Sequence, residues 1–113
     1  MSRTKFTMSG ENAKSIREVA GDLRREIKAE LVSEICREMN GAEVIVLLFE
    51  KYYLRNGSYA GLTVMLTECG DEKTADVVGF GGGGGMVNWS FGANADFAKQ
   101  ANIILQKYGF SVE

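Results

Sequence analysis

Two Asn-Gly pairs, Asn40-Gly41 and Asn56-Gly57, bracket the most apolar stretch of the chain, and they dictate hairpins. Asn-Gly is the preferred pair for a two-residue type I′ turn, because both central positions need a positive φ that few other residues adopt. Between the pairs runs Glu43 to Arg55 (EVIVLLFEKYYLR), rich in β-branched and aromatic residues. Ser58 to Cys69 returns antiparallel to it. Gly70-Asp71-Glu72 marks a third turn, and Thr74 to Phe80 forms a further strand. Glu30 to Met39 is ambiguous, since Leu31, Ile35 and Met39 recur every four residues, which fits one face of a helix or of a strand. The adjoining Asn40-Gly41 turn decides for a strand.

The flanking segments read differently. Lys5 to Met8 is a short strand, and Ser9 is a candidate N-cap. A first helix over about residues 10 to 27 follows, with Ile16, Val19, Ala20, Leu23 and Ile27 on one stripe. After the strands come five consecutive glycines, Gly81 to Gly85, then an extended piece from Met86 to Phe91. A second helix begins near Asn94 or Ala95, carries Phe97, Ala101, Ile104, Leu105 and Tyr108 inward, and stops at Gly109-Phe110. The expected order is β-α-β-β-β-β-α in a single domain spanning residues 1–113. This is an α+β class: one antiparallel sheet of about five strands, packed on one face by two helices. A chain of 113 residues can bury one such core without a metal or disulfide staple.

Tight hairpins fix register, so faces can be computed. Two-residue loops pair Ile35 with Val46 across the first turn and Leu47 with Leu66 across the second; the third turn brings Val64 to Gly79. One face then carries Val32, Cys36, Ile45, Leu47, Phe49, Leu62, Val64, Leu66 and Val77, with Gly79 and Gly81 in its last strand. The opposite face carries Leu31, Ile35, Met39, Val44, Val46, Leu48, Tyr52, Tyr59, Met65, Val78 and Phe80. Both are apolar, yet two helices on the same side cover only one. The glycines assign the helices to the first face, where a helix backbone can approach closely. The second face is left as an apolar patch larger than monomers tolerate. A second copy stacked sheet on sheet is the commonest cover, with Val44, Val46, Leu48, Tyr52, Tyr59 and Met65 as the interface.

Composition narrows the chemistry. Thirteen Lys+Arg against fifteen Asp+Glu give a net charge of −2, so no field exists to hold a nucleic-acid backbone. The Arg24, Arg25 and Lys28 cluster is neutralised by Asp22, Glu26 and Glu30 and reads as a solvated helix face. Cys36 and Cys69 stand 33 residues apart with no histidine anywhere, which matches no metal or redox motif; two reduced, partly buried thiols are expected. They fall two strands apart, too far for a disulfide. The longest strictly apolar run, Val44 to Phe49, is six residues, well short of a membrane span. No apolar segment follows the first five residues as in a secretory signal, and the expected location is cytoplasmic.

Candidate chemistry is weak against its structural alternatives. Gly79-Phe80-Gly81-Gly82-Gly83-Gly84 formally satisfies G-x-G-x-x-G, but a glycine run satisfies most glycine patterns, and no helix opens inside it. It reads first as a strand-to-helix connection. Alternation along the long strand sends Glu50 and Tyr52 to one face and Lys51, Tyr53 and Arg55 to the other, so they form no common site. Neither thiol has a histidine to activate it. The expectation is no enzyme and no cofactor. Trp89 and Phe91 either cap the sheet or, with Gly82, Gly83 and Gly84, line a cavity for a small apolar ligand between the sheet and the last helix.

The stretch Val46 to Gly57 (VLLFEKYYLRNG), then Leu62-Thr63-Val64, Gly79 to Gly85 and the closing helix, resembles a family of small uncharacterised bacterial proteins over most of the chain. That resemblance implies no activity and carries over no catalytic residue. The element order is also similar to TBP-like and helix-grip layouts, in which an antiparallel sheet curls around a long C-terminal helix. Helix-grip proteins often hold apolar ligands beneath that helix, whereas the DNA-binding use of an open TBP-like sheet needs basic residues absent here. Two functions follow as expectations: a homodimeric interaction module working through the open face, or an apolar-ligand binder.

Overall fold

A computed structural model describes the backbone of residues 2–9, 14–53, 57–81 and 87–112, with side chains for 14–52, 57, 59–81 and 97–112. The chain is a two-layer α+β domain. Strand β1 (Ser2–Ser9) leads to helix α1 (Ile16–Glu26), followed by β2 (Glu30–Met39), β3 (Ala42–Tyr53), β4 (Ser58–Cys69) and β5 (Glu72–Gly81). Helix α2 (Val87–Lys107) and a two-residue strand β6 (Ser111–Val112) complete it. The sheet order is β2-β3-β4-β5-β1-β6, antiparallel throughout. The expected element order holds, with β6 added at the edge.

Register follows the first turn as read. Asn40 and Gly41 take φ values of 50° and 82°, as a type I′ turn requires, and Ile35 faces Val46. The second and third connections differ. Tyr53 faces Ser58, so Leu47 meets Val64 rather than Leu66. Cys69 faces Glu72 across Gly70-Asp71, so Val64 meets Val77 rather than Gly79. Each displacement is two residues, one full pleat, and so every side chain stays on its expected face.

One irregularity does change faces. The β2–β3 register shifts between Leu31 and Ser33, leaving Val32 as the extra residue of a β-bulge. Leu31 consequently pairs with Phe49 on the helix side, while Val32 turns to the open side. The two exchange the faces that strict alternation gave them.

The core lies between the sheet and the helices. Ile45, Leu47, Phe49, Leu62, Val64, Leu66, Ala75 and Val77 are buried beneath Ile16, Val19, Ala20, Leu23, Phe97, Ala101 and Leu105. Helix α1 lies over β3 and β4, and α2 over β4, β5 and β1. Edge strand β2 projects beyond both helices and is exposed along nearly its whole length.

Helix ends show what sequence patterning missed. Ser15, not Ser9, caps α1: its Oγ accepts the Glu18 N–H at 3.3 Å, within a Ser-x-x-Glu pattern typical of helix starts. Ser9 belongs to β1, opposite Glu72, and residues 10–13 of the expected helix lie outside the described residues. Glu68 of β4 supports the same helix end by accepting the Ile16 N–H at 3.0 Å, 3.9 Å from the ammonium of buried Lys73. Helix α2 begins at Val87, so the expected extended piece from Met86 to Phe91 is helical from its second residue. Its Val, Trp and Phe favour strands only weakly, a preference too small to fix the element type. Its far end closes as expected: the Gly109 N–H donates to Gln106 O and the Phe110 N–H to Leu105 O, with Gly109 at φ 96°. That is a Schellman motif, its apolar pair being buried Phe110 and Leu105.

Candidate functional site

Among the described residues no element lies over one face of the sheet, and that face is the candidate site. Along β3 its residues are Ala42, Val44, Val46, Leu48, Glu50 and Tyr52, and each heads a row across the strands. Arg37, Val44 and Thr67 form one row; Ile35, Val46, Met65 and Asp76 the next. Ser33, Leu48, Thr63 and Val78 follow, then Glu30, Glu50, Gly61 and Phe80, and last Tyr52 with Tyr59. All six expected interface residues share this face: Val44, Val46 and Leu48 are half-buried, and Tyr52, Tyr59 and Met65 are exposed. Met39 is 70% exposed, Tyr59 58% and Ile35 44% with no helix above them. Such exposure on neighbouring strands makes a contiguous apolar surface, unlike scattered single residues.

The aromatic end of this face has relief. The Tyr52 and Tyr59 rings meet edge to face, 5.0 Å between centroids. Phe80 lies across Gly61, its cross-strand partner. Between them is a shallow depression of about 180 Å³ lined by Val32, Leu48, Glu50, Tyr59, Gly61 and Phe80. Val32 is the contributor that alternation could not find, because a bulge leaves no local sequence signal.

The helix side is electrostatically satisfied at its margin. Arg17 pairs with Glu43 at 2.6 Å, and Arg24 with Glu34 at 2.9 Å. The hydrogen bond that Arg17 Nε donates to the Glu43 carboxylate, reinforced by its charge, raises the Arg17 pKa above its ordinary value. Both cysteines are free thiols, but they are exposed rather than partly buried: Cys36 lies on the projecting edge strand and Cys69 beside a turn. Among the described residues no group of three or more Cys, Asp or Glu side chains is placed to hold a metal ion.

The residues named for an apolar-ligand cavity are placed less fully. Gly82, Gly83 and Gly84 lie outside the described residues; Trp89 and Phe91 are on the first turns of α2, their side chains outside the described set. Among the described residues, no helix is long and apolar enough to cross a membrane.

Fold and face together define a small two-layer α+β domain whose sheet has one apolar side uncovered among the described residues. The chain belongs to a family of unknown function, DUF6054, whose model matches residues 1–109. No curated protein and no solved structure matches it.

Proposed function

We propose that this chain is a non-enzymatic cytoplasmic interaction module that works as a homodimer, two copies stacking through their open sheet faces. The observation that carries the reading is the contrast between the two faces of one sheet. Leu47, Leu62, Val64 and Leu66 are wholly buried under helices, while Ile35, Met39, Tyr52, Tyr59, Met65 and Phe80 on the reverse are exposed. Burying apolar area stabilises by about 25 cal/mol per Å², so a patch of this kind drives association.

Its size fits. Rows run from Ala42 to Tyr52, ten residue steps or ~34 Å, across four strands spaced by ~4.8 Å. The footprint is roughly 500–700 Å² per copy, so a stacked pair hides more than the ~1,000 Å² that separates specific interfaces from incidental contacts. The face is also self-complementary in character, apolar along β3 and β4 at its centre with a few charges toward its margins, as an isologous interface demands.

Light scattering coupled to size-exclusion chromatography tests the reading. The chain is 12.4 kDa, and a solution mass near twice that is expected. A 12 kDa species at every concentration up to the millimolar range would overturn it.

A further inference from the structure

Charges on the open face are few, and their positions distinguish one way of stacking two copies from the other. Face-to-face packing about a two-fold axis leaves two choices for nearly aligned sheets. An axis along the strands keeps ends together and lays β2 over the partner's β5. An axis across the strands swaps the ends and lays β2 over the partner's β2.

Arg37 stands on the open face in the row of Val44. Its guanidinium donates to the Cys36 carbonyl at 3.2 Å, and among the described residues no carboxylate pairs with it. At the other end, Glu30 and Glu50 are direct cross-strand partners, both exposed. Like charges so placed repel, and among the described residues neither has an ion pair to relieve it. One end of the face thus offers an unmatched cation and the other an unmatched pair of anions.

We infer that the two copies stack with ends exchanged, about a two-fold axis running across the strands at the level of Leu47, so that Arg37 of each copy lies over the Glu30–Glu50 pair of the other. This rests on the homodimer reading above and specifies its geometry. Leu47 is midway between Ala42 and Tyr52, the limits of the apolar rows, so centring the axis there maximises overlap. The row of Val44 then falls on the row of Glu50, three residues either side of the axis. At ~10 Å from the axis, the usual crossing of about 30° displaces one sheet sideways by ~5 Å, one strand spacing. That shift, with the reach of an arginine, keeps the guanidinium on the carboxylate pair, which sits on adjacent strands β2 and β3. The outermost rows agree. Met39, exposed at the hairpin tip in the row of Ala42, falls at the Tyr52–Tyr59 end, where thioether and ring attract.

The alternative axis is less favourable electrostatically. It brings Arg37 to the row of Thr74 on β5, with Asp76 as the nearest acid. Asp76 is a single carboxylate, one row away from that position. Ends-exchanged packing also satisfies two carboxylates per arginine instead of one.

The test is a charge-swap series read as dimer dissociation constants by light scattering and analytical ultracentrifugation, with circular dichroism confirming that each variant is folded. Arg37→Glu and Glu50→Arg are each expected to weaken the dimer about tenfold or more, and the double variant Arg37→Glu/Glu50→Arg to recover most of that loss. Arg37→Glu with Asp76→Arg is expected to show no recovery. A dimer whose constant is unmoved by either single variant, or one rescued through Asp76 rather than Glu50, overturns the ends-exchanged geometry and leaves the dimer standing. A wild-type chain that stays monomeric overturns both.

Discussion

Phe80 lies flat across Gly61, its direct partner on the neighbouring strand, so closely that a β carbon on Gly61 would come within 3.0 Å of three ring carbons. A glycine in a strand interior exposes bare backbone and packs nothing. An aromatic ring laid over it from the next strand supplies the missing contact. Gly61→Ala is therefore expected to displace the ring and cost about 1–3 kcal/mol, seen as a fall in thermal midpoint. The Phe80→Ala background removes the clash, so Gly61→Ala made there should cost clearly less; equal costs in both backgrounds would refute the coupling.

Val46 and Leu47 are adjacent yet face opposite layers. Leu47 is wholly buried beneath the helices, and Leu47→Glu places an unpartnered carboxylate there. That costs several kcal/mol and is expected to abolish cooperative folding in circular dichroism. Val46→Glu and Met65→Glu put the same charge on the open face. They are expected to keep the native spectrum while leaving the proposed dimer as 12.4 kDa chains. A folded Val46→Glu or Met65→Glu protein that remains dimeric would remove the open face from the interface.

Gly109 holds φ at 96°, outside the range an L side chain adopts comfortably. Its N–H and that of Phe110 close the last turn of α2. Gly109→Ala should lower stability by about 1 kcal/mol or more through backbone strain alone, with no change in solution mass. Denaturant titration reads the effect.

Glu68 joins three elements: it accepts the first N–H of α1 from its place on β4, and stands beside buried Lys73 on β5. Glu68→Ala leaves that ammonium without its acid and the helix end without its acceptor. A loss of about 1–3 kcal/mol is expected, exceeding that of Ser15→Ala, which removes only the cap hydroxyl. Lys73→Met introduced with Glu68→Ala should return part of the loss, since no buried charge then lacks a partner. Thermal unfolding of the three variants checks the order.

Local sequence decides much of this architecture. Asn40-Gly41 both ends β2 and selects strand over helix for Glu30 to Met39, because two successive positive φ values admit few other residues. Gly109-Phe110 marks the end of α2 in the same way. Alternation from Val44 to Tyr52 is enough to separate a covered face from an open one. That separation holds although the second and third hairpins pair two residues away from the expected register, because each displacement is a whole pleat. The open-face residues of the candidate site, Glu30 and Val32 excepted, are accordingly legible in the alternation of the strands themselves, and those two reach it only through the bulge.

Tertiary structure decides the rest. The bulge that turns Val32 outward is a feature of the β2–β3 pairing, and no residue type at 31–33 announces it. The start of α2 at Val87 is a second case, since the β preferences of Val, Trp and Phe are weak and do not fix the element type. The place of β1 between β5 and β6 joins residues more than sixty apart in the chain, as Phe6 with Ala75. Turn chemistry and alternation act between neighbours, and so a sequence states them directly; pairings closed over long loops depend on the whole core forming at once.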